Sequence, residues 1–186
     1  MTVSIFKKNW QLFYANEQLP LASEYLWLII DGVVKSSTIN QKGKHITFSY
    51  WTAQDVVGKP LSNNTLYVLK CITSVKAEKI ITKDWQKLSS ALMRHGQQIR
   101  DLTYIIKTPK ASQRLLLLLN WLANKFNDQL TAEQIINLNI THQELSEIIG
   151  VSRITVTKLL SEFEQDGIIF RPERGKIILN YPQKLN

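Results

Sequence analysis

At 186 residues the chain has material for one or two domains with a real core, and 44% hydrophobic residues, 20% charged, 7 Gly and 5 Pro exclude the disordered, collagen-like and low-complexity classes. The single cysteine, Cys71, excludes an internal disulfide, a cysteine-based zinc finger and an all-cysteine iron–sulfur cluster. A net charge of +8 invites a nucleic-acid partner, yet residues 1–107 carry 14 Lys and Arg against 7 Asp and Glu while residues 108–186 carry 9 against 8, so a DNA-binding second half must rely on locally placed cations.

At the N-terminus, Lys7, Lys8 and Asn9 interrupt Met1 to Phe13 before an apolar core forms, so no secretory signal is expected. The first 82 residues read as β structure. Tyr25 to Val34 is an apolar run ending at Asp31-Gly32, Ile46 to Trp51 alternates in part, and Tyr67 to Val75 mixes β-branched and apolar residues, with Gly32, Gly43 and Gly58 marking turns. Short strands without intervening helices predict a sandwich, roll or barrel.

From Asp84 to Lys107 the period changes to a heptad seam of Leu88, Leu92, His95, Ile99, Leu102 and Ile106. Asp84 is the expected cap, and Thr108-Pro109 the expected stop, because proline pushes the preceding residue out of the helical region. Such a seam serves either a parallel dimer or packing against the β domain. A second helix, Ala111 to Phe126, is apolar nearly all round and is expected in a core, closed by Asn127-Asp128. Its run from Leu115 to Ala123, broken by Asn120, is about half of what a membrane span needs. Gln129 to Asn139 reads as a linker, with a strand near Ile140.

The strongest signal lies in residues 140–181. Thr141 and Glu144 have capping-box spacing before a short helix; Gly150 permits a tight turn; Ser152 caps again. The next helix, Arg153 to Gln165, gathers Val156, Leu159, Leu160 and Phe163 on one face and Arg153, Ile154, Thr157, Lys158 and Ser161 on the other. Cations and short polar groups at a helix start suit the major groove, where an Arg pairs with a guanine edge. Thr141, His142, Gln143 and Ser152, at helix starts, suit phosphate contacts, and Thr155 completes the set on the second helix. Ile168 to Phe170 and Ile177 to Leu179 read as strands of a wing, whose Arg171, Arg174 and Lys176 lie either beside a DNA backbone or simply on a solvated turn.

Gly150-Val151-Ser152-Arg153-Ile154-Thr155-Val156-Thr157-Lys158-Leu159-Leu160 resembles the recognition-helix signature of the CRP/FNR family of transcription regulators, and is most similar to its cyanobacterial and plastid nitrogen-control branch. Tyr25 to Lys35 resembles the family's β-roll strand and turn, and Asp55-Val56-Val57-Gly58 a degenerate form of its Gly-Asp motif. The resemblance implies an α+β fold: an N-terminal β-roll (1–82; a cupin-like double-stranded β-helix), a long dimerisation helix (83–107) and a C-terminal winged helix-turn-helix (108–186). It also implies a homodimer on a pseudo-palindromic DNA site, with a cytoplasmic location, or a stromal one if the gene is in a plastid.

Relatives that bind cyclic nucleotides have Gly-Glu and then Arg-Ser in the phosphate-binding stretch. Here Gly58 is followed by Lys59-Pro60, and Asn63-Asn64-Thr65 has no Arg, so control by cyclic AMP is not expected. The nitrogen-control branch places Arg and Glu around an oxo-acid at positions held here by His95 and Arg100, so that ligand is not expected either. The expectation is an effector pocket shrunken or lost, no cofactor and no metal. Where relatives have an acidic residue that accepts from cytosine, Ile154 can meet only a thymine methyl, and Lys158 stands where Arg is usual, as a point charge without the planar fork.

Scattered His45, His95 and His142 and the absence of a phosphate loop, metal-ligand spacing or nucleophile elbow argue against an enzyme. Cys71 reads as a redox sensor or, in its apolar strand, as an inert thiol. The alternative function is an interaction protein of the same fold acting through another regulator or RNA polymerase.

Overall fold

The computed structural model describes residues 10–41, 43–63, 65–126 and 134–180. The expectations for residues 1–9, Asn64, the Asn127-Asp128 helix stop and the segment through residue 133 lie outside them. Contacts divide the chain into two compact units, Met1–Gln97 and Gln98–Asn186.

The first unit holds β1 (Trp10–Phe13), β2 (Tyr25–Asp31), β3 (Val34–Ile39), β4 (His45–Trp51), β5 (Val56–Val57), β6 (Val68–Cys71) and β7 (Val75–Ile81). They form two antiparallel sheets, ordered β1-β7-β2-β5 and β4-β3-β6. The run expected from Tyr25 to Val34 is two strands, broken at Gly32. That glycine sits at φ +92°, and a Cβ there would fall 2.2 Å from the Ser74 carbonyl oxygen, so no other residue fits the reversal. Ile29, opposite Ala77, joins Trp27, Val34, Trp51, Leu69 and Cys71 in one apolar cluster. Leu26, opposite Ile80, joins Val56, Leu88 and Ala91 in another.

Strand β3 has no apolar alternation to announce it, because after Val34 its buried positions are hydroxyls: Ser36, Ser37 and Thr38. Ser36 Oγ accepts from the buried Trp51 indole at 2.8 Å and donates to the Ser49 carbonyl at 3.3 Å, which satisfies that hydroxyl inside the unit.

The helix expected from Asp84 begins later. A 3-10 turn, Thr82–Leu88, precedes α1 (Ser89–Lys107), and its cap position is Ile81, without a side-chain cap. Asp84 instead pairs with Lys87 at 3.4 Å.

Cys71 is fully buried, and burial, aided by Glu17, pushes its thiol up to about 11. At pH 8 the thiolate fraction is then on the order of 0.1%, so alkylation of the native protein is expected to be slower than that of the urea-unfolded chain by two orders of magnitude or more. Mass spectrometry after a timed iodoacetamide pulse checks this; comparable rates would restore the sensor reading.

The second unit carries the rest of α1, then α2 (Ala111–Phe126), β8 (Gln134–Asn137), α3 (His142–Ile149), α4 (Arg153–Gln165), β9 (Ile169–Phe170) and β10 (Lys176–Leu179). Before Pro109, the Thr108 amide still reaches the carbonyls of Tyr104 and Ile105, and α1 ends. Helix α2 buries Leu115, Leu118, Leu119, Leu122 and Ala123. The expected strand near Ile140 lies earlier, at β8, and pairs with β10 in an antiparallel sheet ordered β8-β10-β9. Thus β-sheet unit, long helix and winged helix-turn-helix follow one another in the expected order. Among the described residues no helix is long and apolar enough to cross a membrane, and no group of three or more His, Cys, Asp or Glu could hold a metal ion.

Candidate nucleic-acid interface

The local chemistry of residues 141–165 makes two helices and the bend between them. Thr141 Oγ1 accepts from the Glu144 amide at 3.2 Å while Glu144 Oε2 accepts from the Thr141 amide at 2.8 Å, a reciprocal capping box that satisfies two end amides of α3. Gly150 ends α3 in the left-handed region, φ 68° and ψ 41°, where a glycine carries no Cβ penalty. Two residues on, Ser152 Oγ accepts from the Thr155 amide at 3.0 Å and starts α4.

Val156, Leu160 and Phe163 of α4 are buried, and Leu159 is partly so; Leu145, Ile148 and Ile149 of α3 are buried too, and α4 packs against α3 and α2. This anchoring turns Arg153, Ile154, Thr157, Lys158 and Ser161 outward, all exposed, with Ile154 at 81%. Burying a branched aliphatic side chain is worth ~2 kcal/mol, so an isoleucine that open to water is a stabilising contact left unused. No hydrogen bond or salt bridge holds the Arg153 guanidinium among the described residues, and Lys158 makes only an exposed i,i+4 pair with Glu162 at 3.7 Å.

A crevice of ≈ 710 Å³ lies between the start of α3 and the wing, with Arg153, Arg171, Arg174 and Lys176 around it. Arg174 is exposed and Lys176 half-buried. Arg171 differs from both. Its guanidinium is in close contact with the Glu164 carboxylate and lies 3.4 Å from His142 Nε2. Bonding to Arg171 holds the Glu164 carboxyl below its ordinary value and raises that of Arg171. His142 Nδ1 is 2.8 Å from Thr157 Oγ1. Burial, then the charges of Arg171 and Arg153, push His142 below the usual histidine range. Below pH ~6.5 the unfolded chain therefore binds this proton more tightly than the folded one, and folding loses stability as pH falls. Gln143 donates to Glu147 Oε1 at 2.8 Å along α3, so it too is engaged inside the protein.

Glu164 was not expected to take part. Its link to Arg171 crosses the turn at Gly167, and no helical or strand spacing signals such a pair.

The heptad seam is divided. Leu88 and Leu92 pack in the first unit's own core, and the His95 ring stacks on Trp51, centroids 4.4 Å apart and 6° from parallel, with Nδ1 3.2 Å from the Val56 carbonyl oxygen. Leu102 is buried. Ile99 and Ile106, one heptad apart, remain 44% and 45% exposed.

A family model described as a Crp-like helix-turn-helix domain matches residues 113–186. The regulatory protein CysR of Synechococcus elongatus is 34% identical over 176 residues, covering 90% of this chain and 82% of the relative. The global nitrogen regulator of the same organism is 22% identical, covering 91% and 82%. Among solved structures, FixK2 from Bradyrhizobium japonicum superposes with a TM-score of 0.75 at 15% identity, covering 94% of this chain and 93% of that one. A CRP/FNR-family transcriptional regulator from Thermus thermophilus gives 0.73 at 19% identity, covering 92% and 93%.

Proposed function

Since the chain belongs to the CRP/FNR family of DNA-binding transcription regulators, we propose that it reads a pseudo-palindromic DNA site as a homodimer and does so without cyclic nucleotide. The observation that carries this reading is the outward face of α4, where Arg153, unpaired among the described residues, and an 81% exposed Ile154 stand side by side on a helix anchored by Val156, Leu160 and Phe163. Such a pair suits a guanine next to a thymine, the arginine giving two hydrogen bonds and the isoleucine meeting the methyl group. Thr141, Ser152, Thr155, Arg174 and Lys176 then hold the phosphate backbone, with Lys158 as a less discriminating cation.

The dimer uses the edge of α1 that still carries Ile99 and Ile106, with residues 83–107 as the dimerisation segment between a sensor-like 1–82 and a DNA-binding 108–186. Support for effector independence comes from His95. Its ring, at the position compared above with an effector-binding arginine, is already spent on Trp51 and the Val56 carbonyl. The protein's location is in the compartment that holds its DNA.

Selection of bound duplexes from a random pool at near-physiological salt, without added nucleotide, is expected to return a twofold-symmetric consensus with half-site centres ~34 Å apart and a G beside a T in each half. An unsymmetrical consensus, or enrichment only when cyclic AMP is added, would refute the proposal.

A further inference from the structure

Three elements of the second unit converge on one imidazole. His142 opens α3, Thr157 lies on α4, and Arg171 follows β9 at the root of the wing. The direction of each hydrogen bond follows from donor chemistry. A guanidinium only donates, so His142 Nε2 must accept from Arg171; the ring is then neutral with its proton on Nδ1, which donates to Thr157 Oγ1. The single hydroxyl proton of Thr157 is left to donate, at 3.0 Å, to the carbonyl of Arg153. A one-way chain thus runs from the wing, through His142 and Thr157, to the backbone of the residue at the outward start of α4. Its far end is fixed as well, because Arg171 also grips Glu164 near the end of the same helix.

We propose that His142 and Arg171 are positioning residues rather than phosphate contacts: together they lock the first turn of α4 to the wing, and so set the angle at which Arg153 and Ile154 meet the bases. This rests on the DNA-reading function above. The lock opens when the ring takes a second proton, since Nε2 then carries an N–H that faces the N–H of Arg171 and can no longer accept. The groups around the ring reinforce that outcome. Arg153 faces it from α4 and Arg171 from the wing, with Arg174 and Lys176 around the same crevice. The carboxylates nearby are engaged or outward: Glu164 on Arg171, Glu144 in the Thr141 cap, and Glu173 exposed on the wing turn.

Two measurements on the full chain test this. Imidazole nitrogen NMR of the free protein is expected to show His142 as the neutral Nδ1–H form at pH 7.5, titrating below the ordinary histidine range, with its midpoint moving up in Arg171→Met. A ring in the Nε2–H form, or a midpoint indifferent to Arg171→Met, overturns the chain of hydrogen bonds. The second measurement is the ratio of affinities for the selected and for scrambled DNA, at constant ionic strength. For the wild-type protein this ratio is expected to fall about three- to tenfold between pH 7.5 and 5.5, the scale of one well-placed hydrogen bond. In His142→Gln and Arg171→Met it should not change with pH, and Arg171→Met should leave the salt dependence of scrambled-DNA binding unaltered, whereas loss of a phosphate contact lowers that slope by about one. A wild-type ratio independent of pH, full pH dependence in His142→Gln, or a reduced salt slope in Arg171→Met each overturns the positioning role. Absence of any sequence preference at pH 7.5 would instead overturn the DNA-reading premise, with the NMR result still deciding the hydrogen-bond chain.

Discussion

Truncating Leu160 to alanine is expected to destabilise the second unit by about 2–5 kcal/mol and to abolish preference for the selected DNA site. The side chain is fully buried on the inner face of α4, between Val156 and Phe163, where α4 packs against α3 and α2. The cost has two parts: the transfer free energy of the lost methyl and methylene groups, and the cavity their removal leaves in a packed interior. Its functional consequence follows from geometry, since the outward residues are displayed only because the inward ones are held. Urea unfolding followed by hydrogen exchange at the α4 amides measures the effect. A loss under ~1 kcal/mol, or unchanged discrimination, would show that α4 is anchored elsewhere.

Arg153→Ala tests the outer face of the same helix and is expected to do the opposite: leave the fold alone and weaken binding to the selected site by about 1–3 kcal/mol. The guanidinium is exposed and makes no hydrogen bond or salt bridge among the described residues, so removing it disturbs no packing. The loss should fall on one base position in each half-site, where all four bases become nearly equivalent, while scrambled DNA loses no more than one charge contact. Binding curves against a panel of single-base variants separate the outcomes. A uniform loss across the panel would make Arg153 a backbone contact rather than a base reader.

The legible parts of the fold were those whose signals are local. Thr141 with Glu144, Gly150, Ser152 and the aliphatic spacing of α4 each state a backbone requirement within a few residues, and the structure places them together as two capped helices around a left-handed glycine. Strand β3 was illegible for the converse reason. Beyond Val34 its buried residues are serines and a threonine, and the Ser36 hydroxyl finds its partners, the Trp51 indole and the Ser49 carbonyl, on another strand. The seam on α1 was legible as a period but not as an assignment: Leu88, Leu92 and His95 meet their own unit, and only coordinates distinguish that from a partner's surface. The same limit applies to Arg171. A cation on a turn reads as free until Glu164 and His142 are found on either side of it.

The pairing of β8 with β10 carries a practical meaning. Asn137, just before the helix pair begins, sits opposite Lys176, just after the wing turn ends. The whole reading head therefore leaves and returns to neighbouring strands, whose backbones lie ~4.8 Å apart. It is topologically a closed excursion from a small sheet, and residues 138–175 are bounded at both ends by strands already held in register, while α2 outside the excursion completes the packing of its helices.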